Sequence, residues 1–476
     1  MNHLVEFRSC LYASLLLLLL SISIANAETD SVALGEWAPR FVHHYDYTLR
    51  ETEGLARTQE PVEVTLTMAG APPAAWRDHI RVVRLVDATQ GVLTPHQVMG
   101  ATQAGGVAMA DGQTPHPATS INVIFLADCP AGGMVTYRLY WGNPDGDGGG
   151  KLPVADLEGG LKIVGEVPGL GIDNAYYHIA LDDKSGAIKT MKSTFQTGDT
   201  EMRYHTIPIH FGVDNWSPGQ GWDHDYDWPV PPNHHVEGGP LALRYHRWGP
   251  MQTYDDVEVS ITYTFYAHVP YVHVSSTMRM TKDRSSHAIR MGEIVVSHSR
   301  RPPENPDPTQ PESAETFTHY SWPDKDGVVQ REINAFRNEL GQAQVPGFVP
   351  GGLGVLDRDI PWVAGYNVAE GFGLATLRKN QFAGNYLGGP TPMAAPCTYL
   401  GQYGWGFVYW SRPMVYPLGA LKSELDLNTA VAAGTIFGTE EALLLFKPDD
   451  GLEGVGEAHR RFTVPLRFEF KGTGPW

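Results

Sequence analysis

Asn174-Ala175-Tyr176-Tyr177-His178-Ile179-Ala180-Leu181-Asp182-Asp183-Lys184-Ser185-Gly186-Ala187-Ile188-Lys189 reads as a strand, a tight turn and the start of the next strand. The turn signal is Asp-Lys-Ser-Gly, in which Gly186 can take backbone angles closed to other residues. Runs of the same kind continue downstream. Residues 258–268 and 271–280 are long strand-like runs joined at Val269-Pro270, and 372–377 and 406–410 read as buried strands. The segment 300–311 carries five prolines and reads as an exposed loop, and 330–340 is the one modest helix candidate. About 300 residues of sheet in one unit imply a large sandwich rather than a small barrel.

Upstream, Val62-Glu63-Val64-Thr65-Leu66-Thr67-Met68 alternates with period two, and strand-like runs follow at 81–86, 121–126 and 134–141. Short strands at this spacing predict a first β-sandwich. Gly142-Asn143-Pro144-Asp145-Gly146-Asp147-Gly148-Gly149-Gly150 marks the boundary. Its first half fits a calcium loop, but Val154 stands where a bidentate Glu is needed, which favours a polar linker. Residues 1–27 carry Arg8, the apolar run Leu15 to Leu20 and the small-x-small site Ala25-Asn26-Ala27, the pattern of a cleaved signal peptide. The expected organisation is all-β: signal peptide 1–27, N-terminal β-sandwich 28–155 and a β-supersandwich 156–476 with the candidate carbohydrate site. A secreted or periplasmic location follows, with no membrane span after cleavage. There Cys129 and Cys397 can pair or stay as two buried thiols.

Several short motifs together resemble the β-domains of class II α-mannosidases. They are Pro61 to Val64, Arg84 to Asp87, Thr94 to Val98, and Phe125-Leu-Ala-Asp-Cys-Pro-Ala-Gly-Gly-Met-Val-Thr-Tyr137. Asn174 to Gly186 is similar to the opening of the galactose-mutarotase-like supersandwich in those proteins. The resemblance implies that fold and an association with carbohydrate. It does not bring mannosidase activity, because that active site belongs to a separate α/β domain ahead of the β-domains. The same supersandwich occurs in some polysaccharide lyases and in sugar mutarotases, and fold alone does not decide between such functions.

The 476 residues carry a formal charge of −18, which repels nucleic acid and anionic membranes. An anionic polymer bound here needs a local basic patch. The densest chemistry lies at 214–248, with Trp216, Trp222, Trp228 and Trp248 as faces for sugar rings and Asp, His and Arg for hydroxyls and carboxylates. In Leu241 to Trp248, period two puts Arg244, His246 and Trp248 on one face and Leu243, Tyr245 and Arg247 on the other. The first face fits the wall of a sugar cleft, and equally a solvated surface with a satisfied histidine.

A lyase acting beside a uronic acid must neutralise the carboxylate, remove the C5 proton and protonate the leaving oxygen. Arg244 suits the first task, His246 or His235 the second, and Tyr226 or Tyr320 the third. Lys379 and Asn380 are further substrate-binding candidates. Asp223, Asp225 and Asp227, with nearby His234 and His235, offer ligands for a calcium or zinc ion, although the spacing matches no definite template. No HExxH, GxSxG or Gly-rich phosphate loop is present. The favoured expectation is a polysaccharide lyase cleaving a uronic-acid-containing polysaccharide by β-elimination. The alternatives are a non-catalytic carbohydrate-binding envelope protein, and a glycoside hydrolase using a pair among Asp223, Asp225, Asp227 and Glu237.

Overall fold

In the strand Val257–Tyr266, Val257, Val259, Ile261, Tyr263 and Phe265 are buried in one core, while Glu258, Ser260 and Thr262 between them are partly solvated. That alternation is the sequence dictating which face of a sheet goes inward, at about 1.5–3 kcal/mol per fully buried large apolar side chain. The computed structural model describes residues 31–69, 80–103, 118–142, 157–194, 206–217, 221–286, 288–297, 317–332, 352–357, 359–369, 371–391, 397–403, 407–415, 429–448 and 452–474. The signal peptide, the linker from residue 143, the proline-rich loop and most of the helix candidate lie outside them. The start of that candidate, through Glu332, belongs to the strand Gly327–Glu332.

The described residues form two units. The first runs up to Glu158 and takes in the chain again from Leu466, and the second is Gly159–Pro465. In the first, a six-stranded sheet faces a three-stranded one. Leu49, Val82, Tyr137 and Leu139 of the larger pack on Val64, Leu66, Val123 and Phe125 of the smaller. Arg467–Gly474, which falls in the supersandwich by the sequence reading, instead pairs antiparallel with His43–Arg50 and completes the six-stranded sheet. Nothing local marks that return, because its cause is a pairing across the whole length of the chain. Cys129 is a buried free thiol here, and the side chain of Cys397 lies outside the described residues.

The second unit is a two-sheet supersandwich with ten and nine strands among the described residues. The stretch Asn174–Lys189 folds as expected, with Tyr177–Leu181 and Ile188–Ser193 as neighbouring strands of the ten-stranded sheet. Asp182 Oδ1 accepts the amides of Lys184 and Ser185 to close the turn, and Gly186 sits at φ +68°. The nine-stranded sheet runs in the order Asn233–Gly238, Ala242–Pro250, Val257–Tyr266, Tyr271–Met280, Thr435–Phe446, Phe372–Asn385, Trp362–Asn367, His319–Asp324, Gly327–Glu332. One helix, Glu453–Thr463, buries Val455, Ala458 and Phe462, a one-sided stripe the sequence reading passed over. Its Phe462 ring stacks edge-on against His273 and Tyr271, so the helix covers one end of the sheet's outer face.

Candidate functional site

Beyond that helix the outer face of the nine-stranded sheet is polar and, among the described residues, partly or fully exposed. Because side chains in register share a face, the backbone pairing lists its surface row by row. One row is His235, His246, Thr262, Ser275, Glu440 and Asn380, and the adjacent row is Asn233, Trp248, Ser260, Thr277, Gly438 and Phe382. In the second row Trp248 and Phe382 are four strand spacings apart, about 19 Å at 4.8 Å per strand. Only Ser260, Thr277 and Gly438 lie between them. Gly438 lets the Phe382 ring lie close over its strand, since a Cβ there would come within 2.2 Å of the ring as it is placed. The result is a shallow floor with an aromatic ring at each end and hydroxyls between.

Arg244, His246 and Trp248 share this face, each partly exposed, whereas Leu243, Tyr245 and Arg247 are buried. The His246 ring stacks on Trp248 at 4.4 Å, and His246 Nε2 lies 2.8 Å from Ser260 Oγ. Burial, aided by the facing His235, lowers the pKa of His246, so its imidazole is neutral near pH 7. His235 is exposed directly opposite it. At the far end Asn380 Nδ2 donates to Glu440 Oε2 at 2.7 Å, and Lys379 Nζ is 3.4 Å from the same carboxylate. Six of the sequence candidates, Arg244, His246, His235, Trp248, Lys379 and Asn380, are therefore gathered on the outer side of this sheet, with Lys379 at its bulge.

The remaining candidates lie elsewhere. Asp225 is fully buried, and its carboxylate receives Arg247 Nη2. Arg247, also fully buried, donates further to the carbonyls of Asp225 and Ser185 and to the Tyr263 hydroxyl, each at 3.0 Å. Trp228 lies against the same guanidinium at 5.4 Å, with its indole Nε1 donating to Pro250 O, and is 2% exposed. Trp228 thus packs on a buried cation rather than a sugar ring. Asp223 is buried and accepts the Thr253 amide. Arg247 on the inward face of its strand needs a buried counter-charge, and the Asp-rich loop supplies it with Asp225.

Among the described residues no cluster of three or more His, Cys, Asp or Glu is arranged to hold a metal ion. Asp227 is exposed at the surface with His224, whose Nδ1 is 2.9 Å from it. With Asp223 and Asp225 engaged inside, Asp227 and Glu237 are the two of the four hydrolase candidates that stay at least partly exposed. Tyr320 is fully buried, edge-on to Trp410, so it is a core residue and not an accessible acid. Tyr226 stays partly exposed and stacks on His224 at 4.5 Å. Trp216 and Trp222 are opposite in register, but their side chains lie outside the described residues.

A second polar site went unread in the sequence. Between the two sheets Glu441 lies beside two arginines, with its Oε1 3.3 Å from Arg412 Nη1 and 3.9 Å from Arg378 Nε, and all three are nearly inaccessible. Gly292 makes room for it: at φ +57° its absent Cβ would lie 2.0 Å from Glu441 Oε2. A Glu at an inward position of the apolar strand Thr435–Phe446 was the available sequence signal.

Fold and site together define a two-unit all-β protein whose supersandwich carries a polar, aromatic-ended open sheet face. No family model and no curated protein matches the chain. Solved structures do. A glycosyl hydrolase family 38 protein from Enterococcus faecalis matches over 93% of this chain and 49% of its own, at 11% identity and TM-score 0.49. An α-mannosidase from E. faecalis V583 matches over 91% and 46%, at 11% identity and TM-score 0.49. A galactose mutarotase-like protein from Lactobacillus casei matches over 60% and 99%, at 9% identity and TM-score 0.29. The chain spans about half the length of the two E. faecalis structures. Both kinds of protein that the sequence pattern resembles are thus among the structures similar to it, and at these identities the likeness is one of fold.

Proposed function

We propose that this chain is an exported, secreted or periplasmic, carbohydrate-active protein that binds an acidic polysaccharide on the open sheet face and cleaves it by β-elimination at a uronic acid. The observation that carries this reading is the convergence of Arg244, His246 and Trp248 on one solvated face, with His235 opposite. Trp248 offers a ring face to the sugar, and Arg244 a planar fork to the carboxylate. Neutralising that carboxylate acidifies the C5 proton. Neutral His246 accepts the proton, the released electron pair forms the C4–C5 double bond, and the C4–O bond breaks. The leaving oxygen takes up a proton from water, since Tyr320 is a core residue and Tyr226 belongs to the loop beside His224 rather than to this face. Among the described residues no helix is long and apolar enough to cross a membrane.

The test is ultraviolet absorbance during incubation with a panel of uronic-acid polymers, since only elimination creates the absorbing conjugated double bond. The expected result is a rise that Arg244→Ala and His246→Ala both abolish. The acid limb of the rate should fall below pH 6.5, because the His246 pKa is lowered from that value. Saturable binding without any rise across the panel would sink the lyase reading and leave a carbohydrate-binding protein.

A further inference from the structure

The strand Phe372–Asn385 is paired with Thr435–Phe446 along its length, but on its other side it has a neighbour along only part of it. Its pairing with Trp362–Asn367 ends at Leu377 opposite Trp362, and the next contact is the Arg378 amide donating to Pro361 O at 2.9 Å. Beyond this point the sheet edge is notched, and a cavity of about 720 Å³ opens there. The ionisable side chains lining it are Asp359, Arg378, Lys379, Arg412 and His459. Three cations thus face one carboxylate in the lining, before Glu441 behind the arginines and Glu440 beside Lys379 are added.

Arg378 is 4% exposed, and its Nη1 donates to Thr398 Oγ1 at 2.6 Å. Its Nε and Nη2, the edge with which a guanidinium grips a carboxylate side-on, have no hydrogen-bond partner. Arg412 Nε and Gln381 Oε1 are unpartnered as well. A buried polar group without a partner is costly, more so when charged, so these donors favour any ligand that brings acceptors to them. Burial and the charge of Arg412, only partly offset by Glu441 and Asp359, pull the Arg378 pKa down to about 9. His459 is also held below its ordinary value by burial, while its Nε2 lies 2.9 Å from Arg378 O.

We propose that this notch is a binding site for a small organic carboxylate of the sugar-acid class, gripped by the free edge of Arg378 with Arg412 behind it. The notch adjoins the open sheet face and shares Lys379, Asn380 and Phe382 with it, but the assignment rests on Arg378 and Arg412 and stands if the cleavage chemistry fails. Glu441, Asp359 and Glu440 balance the three cations, so what is left to match is the set of unbonded N–H groups on Arg378 and Arg412 rather than a net charge. The polar rim of Lys379, Asn380 and Gln381 suits the hydroxyls of such a ligand, and an apolar anion would leave those groups unpaired.

The test is calorimetric titration of the full chain with sodium galacturonate, and in parallel with galactose and inorganic phosphate, at constant ionic strength. The expected result is saturable galacturonate binding, no binding of galactose, and at least tenfold weaker binding in Arg378→Lys, which keeps the buried charge and loses the fork. Arg412→Lys gives a second reading if Arg378→Lys fails to fold, with the same expected direction. Equal binding of galactose and galacturonate, preference for phosphate, unchanged affinity in a folded variant, or no binding at all would each overturn the assignment.

Discussion

Replacing Asp225 by alanine separates a structural ion pair from a metal ligand. In the folded protein Arg247 and Asp225 are both fully buried, and the guanidinium also meets two carbonyls, the Tyr263 hydroxyl and the ring of Trp228. Asp225→Ala leaves the hydrogen bonds to Ser185 and Tyr263 but removes the counter-charge from a cation that cannot reach water. Breaking a buried pair in this way costs about 3–5 kcal/mol. Against a typical total of about 5–15 kcal/mol, this would move the supersandwich transition far down a urea titration. The double variant Asp225→Ala/Arg247→Met removes both charges and should recover most of the loss, because a well-packed apolar replacement is often neutral or stabilising. Tryptophan fluorescence is a suitable probe, since Trp228 lies 5.4 Å from the Arg247 guanidinium. Chelation of wild-type protein should leave the midpoint unchanged. A loss below about 1 kcal/mol in the single variant, or a chelator effect equal to the mutation's, would refute the reasoning.

Trp248→Ala should weaken binding of acidic oligosaccharides about tenfold, near the upper end of the ~0.5–1.5 kcal/mol expected for an aromatic stacking contact, without shifting the unfolding midpoint; affinity titration of a folded variant checks this. Gly292→Ala should destabilise the supersandwich by about 3 kcal/mol or more in urea unfolding, from a left-handed backbone angle and the displacement of Glu441 from Arg412. Glu51 in the first unit is buried, which alone raises its pKa, but amides of Gly132, Glu53, Leu55 and Gly54 outweigh this and lower it from 4.5 to about 2. A depressed carboxylate stabilises the fold above pH 4.5, and that contribution is lost as pH falls towards 2. Unfolding measured against pH should show this loss, and Glu51→Gln should flatten it while costing about 1–3 kcal/mol at pH 7.

Where the physics was local, the sequence could be read directly. The turn closing at Gly186 and the period-two faces of Val257–Tyr266 and Ala242–Pro250 follow from neighbouring residues. The inward turn of the Asp-rich loop is not legible locally, because it answers the need of Arg247, on the inward face of Ala242–Pro250, for a buried counter-charge. That counter-charge, Asp225, comes from another element. The Arg378–Glu441–Arg412 cluster draws on three strands in two sheets, so no local pattern could assemble it, although a glutamate in an apolar strand announces an unmet charge. The helix Glu453–Thr463 had a readable stripe in Val455, Ala458 and Phe462, too short to stand out beside so many strand signals.

The pairing of Arg467–Gly474 with His43–Arg50 bears on how the chain is made. The supersandwich is an insertion within the first unit's sequence, so one edge of that unit's sheet must wait for its mate until residues 159–465 have left the ribosome. At roughly 5–20 residues per second the wait is about 15–60 s. Throughout it His43–Arg50 offers unsatisfied amides and carbonyls to any stray strand, which makes a holding chaperone most useful during that interval.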